Sequence, residues 1–87
     1  MTEPVGMEFP THFRLRVVGH TADDFAGFIL ESLLPYIPNL SLEDLEIRPS
    51  AAGKYTAVHV SFLAESRDQL DRIYACLSAF ERVLWVM

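Results

Sequence analysis

The hydrophobic period of this chain switches along its length, and that switch limits the possible folds more than any other feature. Residues 12–18 and residues 55–63 alternate apolar with polar or small side chains. A period of two residues is typical of a strand that buries one face, so both segments are predicted strands. Gly19 is expected to break the earlier one. The buried positions are then Phe13, Leu15 and Val17 in the earlier strand and Thr56, Val58, Val60 and Phe62 in the later one.

A helical period separates these two strands. Residues 25–37 carry apolar side chains at spacings of three and four. Thr21 and Asp24 resemble a capping box with Asp in place of Glu, so this helix is predicted to begin near Ala22. Pro35 should end or kink it, because proline lacks the amide hydrogen that an interior helical position donates.

A second helix has a stronger start signal. Ser66 and Gln69 form a capping-box pair, and an amphipathic apolar stripe follows. Two shorter strands complete the pattern, at residues 45–48 and in the apolar run 83–87. The alternation leaves open which side of the last strand is buried. On the uncovered side, Trp85 would be an interface anchor, because large aromatic residues are frequent binding hot spots.

The order strand, helix, strand, strand, helix, strand predicts an α+β fold. It is the order of the ferredoxin-like β-α-β-β-α-β sandwich, in which a four-stranded antiparallel sheet of strand order 4-1-3-2 carries both helices on one face. Residues 11–87 are predicted to form this single domain. Residues 1–10, which contain two prolines and a glycine, are predicted to form a mobile leader.

The sheet face that no helix covers is predicted to be polar and partly aromatic. We expect this face, or an edge strand, to dock a partner protein or a second copy of the chain. The candidate interaction residues are Arg14, Arg16, Tyr55 and His59. The alternative is a solvated face whose basic side chains pair with its acidic ones. The predicted face comprises Arg14, Arg16, Val18, Asp44, Glu46, Arg48, Tyr55, Ala57 and His59.

A short loop after the first strand is the candidate ligand site. Gly19, His20 and Thr21 are predicted to form the turn into the first helix, where the backbone amides of a helix start receive an anion or carboxylate. His20 would contact that ligand. The alternative is an exposed loop histidine without a ligand.

Charge and residue counts narrow the function classes. The formal charge of -5, from seven Lys and Arg against twelve Asp and Glu, disfavours binding to a phosphate backbone. RNA-recognition motifs share this element order, but their outward phenylalanines are absent. The lone Cys76 excludes an internal disulfide and a multi-cysteine zinc site, and the three histidines lack ligand-type spacing. No catalytic residue, metal or cofactor is therefore predicted. Without a secretory signal or a membrane-length apolar run, the predicted location is the cytoplasm.

Three segments together resemble one family. They are EFPTHFRLRVVG (8–19), RPSAAGKYTAVHVSF (48–62) and QLDRIYACLSAFERVLWVM (69–87), and through them nearly the whole chain resembles the YbeD-like family of small bacterial proteins of unknown function. The resemblance implies a fold similar to the ACT domains that regulate amino-acid metabolism. It also implies no catalytic residues and a regulatory link to lipoate metabolism. ACT domains typically bind an effector at the loop after the first strand, where this chain has Val18-Gly19-His20-Thr21.

These observations lead to three functional hypotheses. The leading hypothesis is a non-enzymatic regulatory or protein-interaction module that uses the uncovered sheet face or an edge strand. The alternative is an ACT-type small-molecule sensor at the first strand-helix turn. RNA binding is a third, less favoured hypothesis, and no membrane association is expected.

Overall fold

The computed structural model describes residues 8–50 and 52–87. Its helices and strands follow the predicted order, with a 3-10 turn at Leu42–Asp44. Within the described ranges, no helix is both long and apolar enough to cross a membrane. The elements are β1 (Thr11–His20), α1 (Phe25–Leu33), β2 (Leu45–Pro49), β3 (Tyr55–Ala64), α2 (Arg67–Ser78) and β4 (Val83–Val86).

The four strands form one antiparallel sheet in the order β2-β3-β1-β4. This is the predicted order 4-1-3-2 counted from the opposite edge, and the ferredoxin-like α+β fold is confirmed. The central strands β1 and β3 pair over ten residues, from Thr11 opposite Ala64 to His20 opposite Tyr55. In contrast, β4 pairs with β1 only near Val17, Val18 and Gly19, with a register shift between the last two.

Both helices cover the same face of the sheet and enclose one hydrophobic core with it. Phe9, near the end of the predicted leader, packs against this core. Residues 1–7 of the leader lie outside the described residues. Thr56, predicted on the buried face of β3, is the one buried polar residue among those described. The core comprises Leu15, Val17, Phe25, Ile29, Leu33, Ile37, Leu40, Val58, Val60, Phe62, Ala64, Leu70, Ile73 and Leu77.

The cap of α2 confirms its predicted start. The Ser66 hydroxyl accepts a hydrogen bond from the Gln69 amide at 3.0 Å, and the Gln69 Oε1 accepts one from the Glu65 amide at 2.7 Å. The Gln69 Nε2 also donates to the Tyr36 carbonyl at 2.9 Å, so the cap ties α2 to the segment after α1. That segment follows the end of α1 at Leu33, ahead of Pro35 as predicted.

The predicted start of α1 is wrong. The helix begins at Phe25 rather than near Ala22, and Asp24, the N-cap residue, makes no side-chain capping bond. Thr21 makes a long-range contact instead: its hydroxyl shares a hydrogen bond of 2.8 Å with the Thr56 hydroxyl. The Thr21 and Asp24 pattern therefore reflects tertiary contacts and not a capping box.

Asp24 is bound by Arg82, which lies between α2 and β4. The Arg82 Nη2 and Nη1 donate to the two carboxylate oxygens at 2.8 and 3.3 Å, and the guanidinium lies 4.4 Å from the ring centroid of Phe28. The hydrogen bond from Arg82 holds the pKa of Asp24 below its ordinary value. This contact joins the start of α1 to the last connection of the chain.

Two further expectations need correction. Gly19 does not break β1, which continues through His20. Gly19 is buried where β1 runs directly under Phe25 and the Arg82 backbone, so this position requires a residue without a side chain. Asp44, predicted on the uncovered sheet face, lies in the 3-10 turn, where its carboxylate accepts from the Ser41 amide at 3.0 Å.

Replacing Gly19 with alanine should destabilise the protein. The added Cβ would lie 2.5 Å from Cζ of Phe25 and still closer to the Arg82 carbonyl oxygen, a backbone atom that cannot rotate away. We expect the free energy of unfolding, measured by urea denaturation, to fall by about 1–3 kcal/mol.

Gly27→Ala is the matched control. Gly27 is exposed in α1 and an added Cβ there meets nothing within 4 Å. Because alanine favours the helix, this variant should gain up to about 1 kcal/mol. Equal effects of the two substitutions would contradict the packing role of Gly19.

Candidate functional site

The sheet face opposite the helices is the candidate site, and we call it the open face. Its membership follows from the core, because side chains of a strand alternate between the two faces. All three histidines of the chain lie on it. The open face comprises His12, Arg14, Arg16, Val18 and His20 of β1, Glu46 and Arg48 of β2, Tyr55, Ala57, His59, Ser61 and Leu63 of β3, and Trp85 of β4.

Glu46 organises the charged part of the open face. Its Oε1 accepts from Nη2 of Arg14 at 2.5 Å, and its Oε2 lies 2.5 Å from Nη2 and 2.8 Å from Nε of Arg48. The hydrogen bonds from Arg48 and then Arg14 hold the pKa of Glu46 below its ordinary value. All three side chains are about half exposed, so this network orients the two arginines and contributes little to stability.

The network favours the neutral form of His59. Loss of solvent around the imidazole lowers its pKa, and the nearby charge of Arg14 lowers it further. The Nδ1 atom of His59 accepts a hydrogen bond from Nε of Arg14 at 3.3 Å, which requires that nitrogen to carry no proton. Because the folded-state pKa is lowered, acidification below the ordinary histidine pKa of about 6.5 favours the unfolded chain.

Aromatic rings form the other part of the open face. The ring centroids of His20 and Tyr55 are 5.6 Å apart, and those of Tyr55 and Trp85 are 6.5 Å apart in an edge-to-face arrangement. Trp85 pairs with Val18 and is 54% exposed. The sequence pattern does not show which side of β4 is buried. The pairing of Trp85 with Val18 shows that Trp85 lies on the open face.

A groove of about 360 Å³ lies between the charged and the aromatic parts. It brings together three of the four predicted interaction residues, and Arg14 lies just outside it. The groove is lined by Arg16, Val18, Arg48, Pro49, Ser50, Tyr55, Ala57, His59 and Trp85.

A larger cleft of about 600 Å³ lies at the far end of the sheet. It is bordered by β3 residues 61–63 and by the 37–40 segment, and its lining includes the acidic residues Asp44 and Glu65. Its one arginine, Arg14, is already bound to Glu46. The cleft therefore offers no uncommitted arginine and no exposed tryptophan, and the groove is the stronger candidate.

The predicted ligand turn is not a turn. Gly19 and His20 belong to β1, and His20 lies against Tyr55 on the open face. The Thr21 amide donates to the Lys54 carbonyl at 3.1 Å, and the Thr21 hydroxyl is bonded to Thr56. Gly19, His20 and Thr21 thus contact different parts of the protein and do not converge on one site. Ligand binding by them stays a prediction, as do the binding roles of the open-face residues.

Among the groove residues that the four candidates omitted, Arg48 has a charged side chain and Trp85 a large aromatic one. Alternation along β2 already placed Arg48 on this face, whereas only the pairing of β4 with β1 places Trp85.

Cys76 is half-buried on α2 with its Sγ 4.0 Å from the Ser32 carbonyl. Across residues 8–50 and 52–87, no cluster of three His, Cys, Asp or Glu side chains is placed to hold a metal ion.

Comparisons with known proteins cover nearly the whole chain. The family model described as "Protein of unknown function (DUF493)" matches residues 5–87. A UPF0250 protein of Ralstonia nicotianae is 36% identical over 81 residues, which are 93% of this chain and 84% of the relative. A UPF0250 protein of Neisseria gonorrhoeae is 35% identical over 81 residues, 93% of this chain and 89% of the relative.

A solved structure supports the fold. The solution structure of protein HP0495 from H. pylori superposes with a TM-score of 0.72 and covers 98% of this chain and 88% of its own. The two sequences are 20% identical, so the likeness concerns the fold alone.

Removing Arg48 should raise the pKa of Glu46 toward its ordinary value, because the hydrogen bond from Arg48 is the largest cause of the lowered pKa. The pKa of Glu46 can be measured in Arg48→Ala and in the parent chain by following its side-chain carboxyl carbon shift by NMR across acidic pH. The contribution of Glu46 to stability is present above its ordinary pKa and is lost as the pH falls through the folded-state value.

Arg72→Ala is the control, since it removes an arginine that pairs with Asp68 on α2. It should leave the Glu46 titration unchanged. An Arg48→Ala titration identical to that of the parent chain would refute the proposed role of Arg48.

Proposed function

Because the chain belongs to the DUF493 family of proteins of unknown function, we propose its function from its own surface: a non-enzymatic protein-interaction module whose open face binds an acidic segment of another protein. The YbeD-like resemblance is confirmed, since YbeD-like and DUF493 denote the same family.

The distribution of charge carries this proposal. The chain as a whole has a formal charge of -5, yet the open face holds three arginines and one glutamate. The one sheet face that the helices leave uncovered is therefore net basic, although the chain as a whole is acidic. A basic face on an acidic protein attracts an acidic partner and orients it, because the rest of the surface repels that partner.

Exposed aromatic residues supply the second element of an interface. Trp85 and Tyr55 are 54% and 36% exposed and lie side by side next to the arginines. Trp, Tyr and Arg are the residue types that most often dominate binding energy at interfaces. Large exposed apolar surface rimmed by polar groups is also typical of a binding site.

The chemistry of the open face gives less support to an enzyme. Glu46 is held ionised by two arginines, which makes it a poor general acid, and the Nδ1 of His59 is occupied by Arg14. The ACT-type sensor has less support as well. Gly19 is packed under Phe25, and the amide of Thr21 is already bonded.

RNA binding shares the basic and aromatic character of this face. Two of the three arginines are bound to Glu46, however, and the remaining surface of the chain would repel a polyanion. A regulatory link to lipoate metabolism rests on the family resemblance. It would be supported by a lipoate-attachment enzyme that binds the parent chain and not the Trp85→Ala variant.

We expect synthetic peptides that combine Glu or Asp with Phe, Tyr or Leu to bind the full chain at the open face. Amide-shift mapping locates the site, and binding should weaken as salt rises, because the attraction is screened. Trp85→Ala should weaken binding by about 2 kcal/mol, roughly 30-fold. Arg72→Ala, on α2, should not change it.

Several outcomes would refute the proposal. Basic peptides of matched composition that bind equally well would remove the role of charge. Oligonucleotides that bind the open face more tightly than any acidic peptide would favour RNA instead. Self-association that covers the open face in sedimentation would make a second copy the partner, and no peptide binding at all would leave the face without this function.

A further inference from the structure

We infer that the groove of the open face is a binding site for one carboxylate attached to an apolar group, with Arg16 as its cationic contact. The inference rests on the proposed function and names the chemistry of the acidic segment. That segment carries an Asp or Glu directly beside an aromatic or aliphatic side chain.

Arg16 differs from the other two arginines of the open face. Arg14 and Arg48 are both bound to Glu46, whereas Arg16 has no carboxylate partner among the described residues. Its Nη1 lies 3.9 Å from the Met87 sulfur, which is a weak acceptor. The guanidinium of Arg16 therefore keeps the planar fork of donors that matches a carboxylate.

The backbone of Arg16 is fixed on both sides. It lies in a central strand opposite His59 of β3, and on the other side it exchanges two hydrogen bonds with Met87, at 2.8 and 2.9 Å. A charged side chain that projects from a rigid strand loses less freedom on binding than one on a loop. This placement suits a specific contact rather than a diffuse attraction.

The apolar half of the groove lies beside Arg16. Val18 and Ala57 face each other in the sheet, and the Tyr55 and Trp85 rings stand near them. Ala57 is small, so the surface is recessed between the longer side chains around it. A volume of about 360 Å³ is at the lower end for ligand pockets, which suits one or two side chains of a peptide.

The site can be tested without a peptide. We expect 3-phenylpropionate to cause saturable amide shifts in the full chain at Arg16, Val18, Ala57 and Trp85. Its neutral analogue 3-phenylpropionamide should bind at least about tenfold more weakly, because it lacks the negative charge and one of the two acceptor oxygens that pair with the guanidinium. Arg16→Gln should weaken 3-phenylpropionate binding by a similar factor, and Arg16→Lys, which keeps the charge without the fork, by less.

Arg14→Gln is the matched control on the same strand and face. Since Arg14 is committed to Glu46, this variant should change binding less than about threefold. Amide spectra of each variant confirm that the fold is retained. Equal losses in Arg14→Gln and Arg16→Gln, equal binding of acid and amide, or shifts confined to another surface would overturn the inference.

The two proposals fail separately. If acidic peptides bind the open face but 3-phenylpropionate does not, the carboxylate site is refuted and the interaction module stands. If 3-phenylpropionate binds at Arg16 and no acidic peptide binds the chain, the carboxylate site stands and the interaction module is refuted.

Discussion

The pairing of β1 with β3 is the interaction on which the rest of this structure depends. Its ten residue pairs run without a shift, and they place Leu15 opposite Val60 in the core. Because side chains alternate, the same register places Arg16 opposite His59 on the open face. A slip of one residue would exchange the two faces along the whole strand. Burial of the core residues on one side of the sheet therefore determines which side chains line the groove on the other side.

Features of the fold that depend on near neighbours in the chain could be predicted. Ser66 and Gln69 cap α2, and α1 ends before Pro35, because both effects act within one helical turn. Features that depend on distant partners could not. Asp24 has the composition of a helix start, but its carboxylate is bound to Arg82, which is far away in sequence. Gly19 has the composition of a strand break, but it is required inside β1 by atoms of Phe25 and Arg82 that pack over it from other parts of the chain.

The candidate site shows the same division. Alternation along β1 and β3 was enough to place Arg14, Arg16 and His59 on one face. It could not distinguish the two arginines, because the difference arises from Glu46 on a neighbouring strand. Trp85 needed the pairing of β4 with β1, since an apolar run carries no alternation that reveals its buried side.

The central position of β1 also affects how the protein is made. The ribosome synthesises this strand near the start of the domain, but one of its neighbours, β4, comes from residues 83–86. A nascent chain can pair β1 with β3 and still lack the strand that flanks β1 on the other side. Until β4 pairs with β1, the edge of β1 near Val17 is open to pairing with strands of other molecules. The sheet is therefore completed only after β4, the last of its four strands in chain order, has left the ribosome.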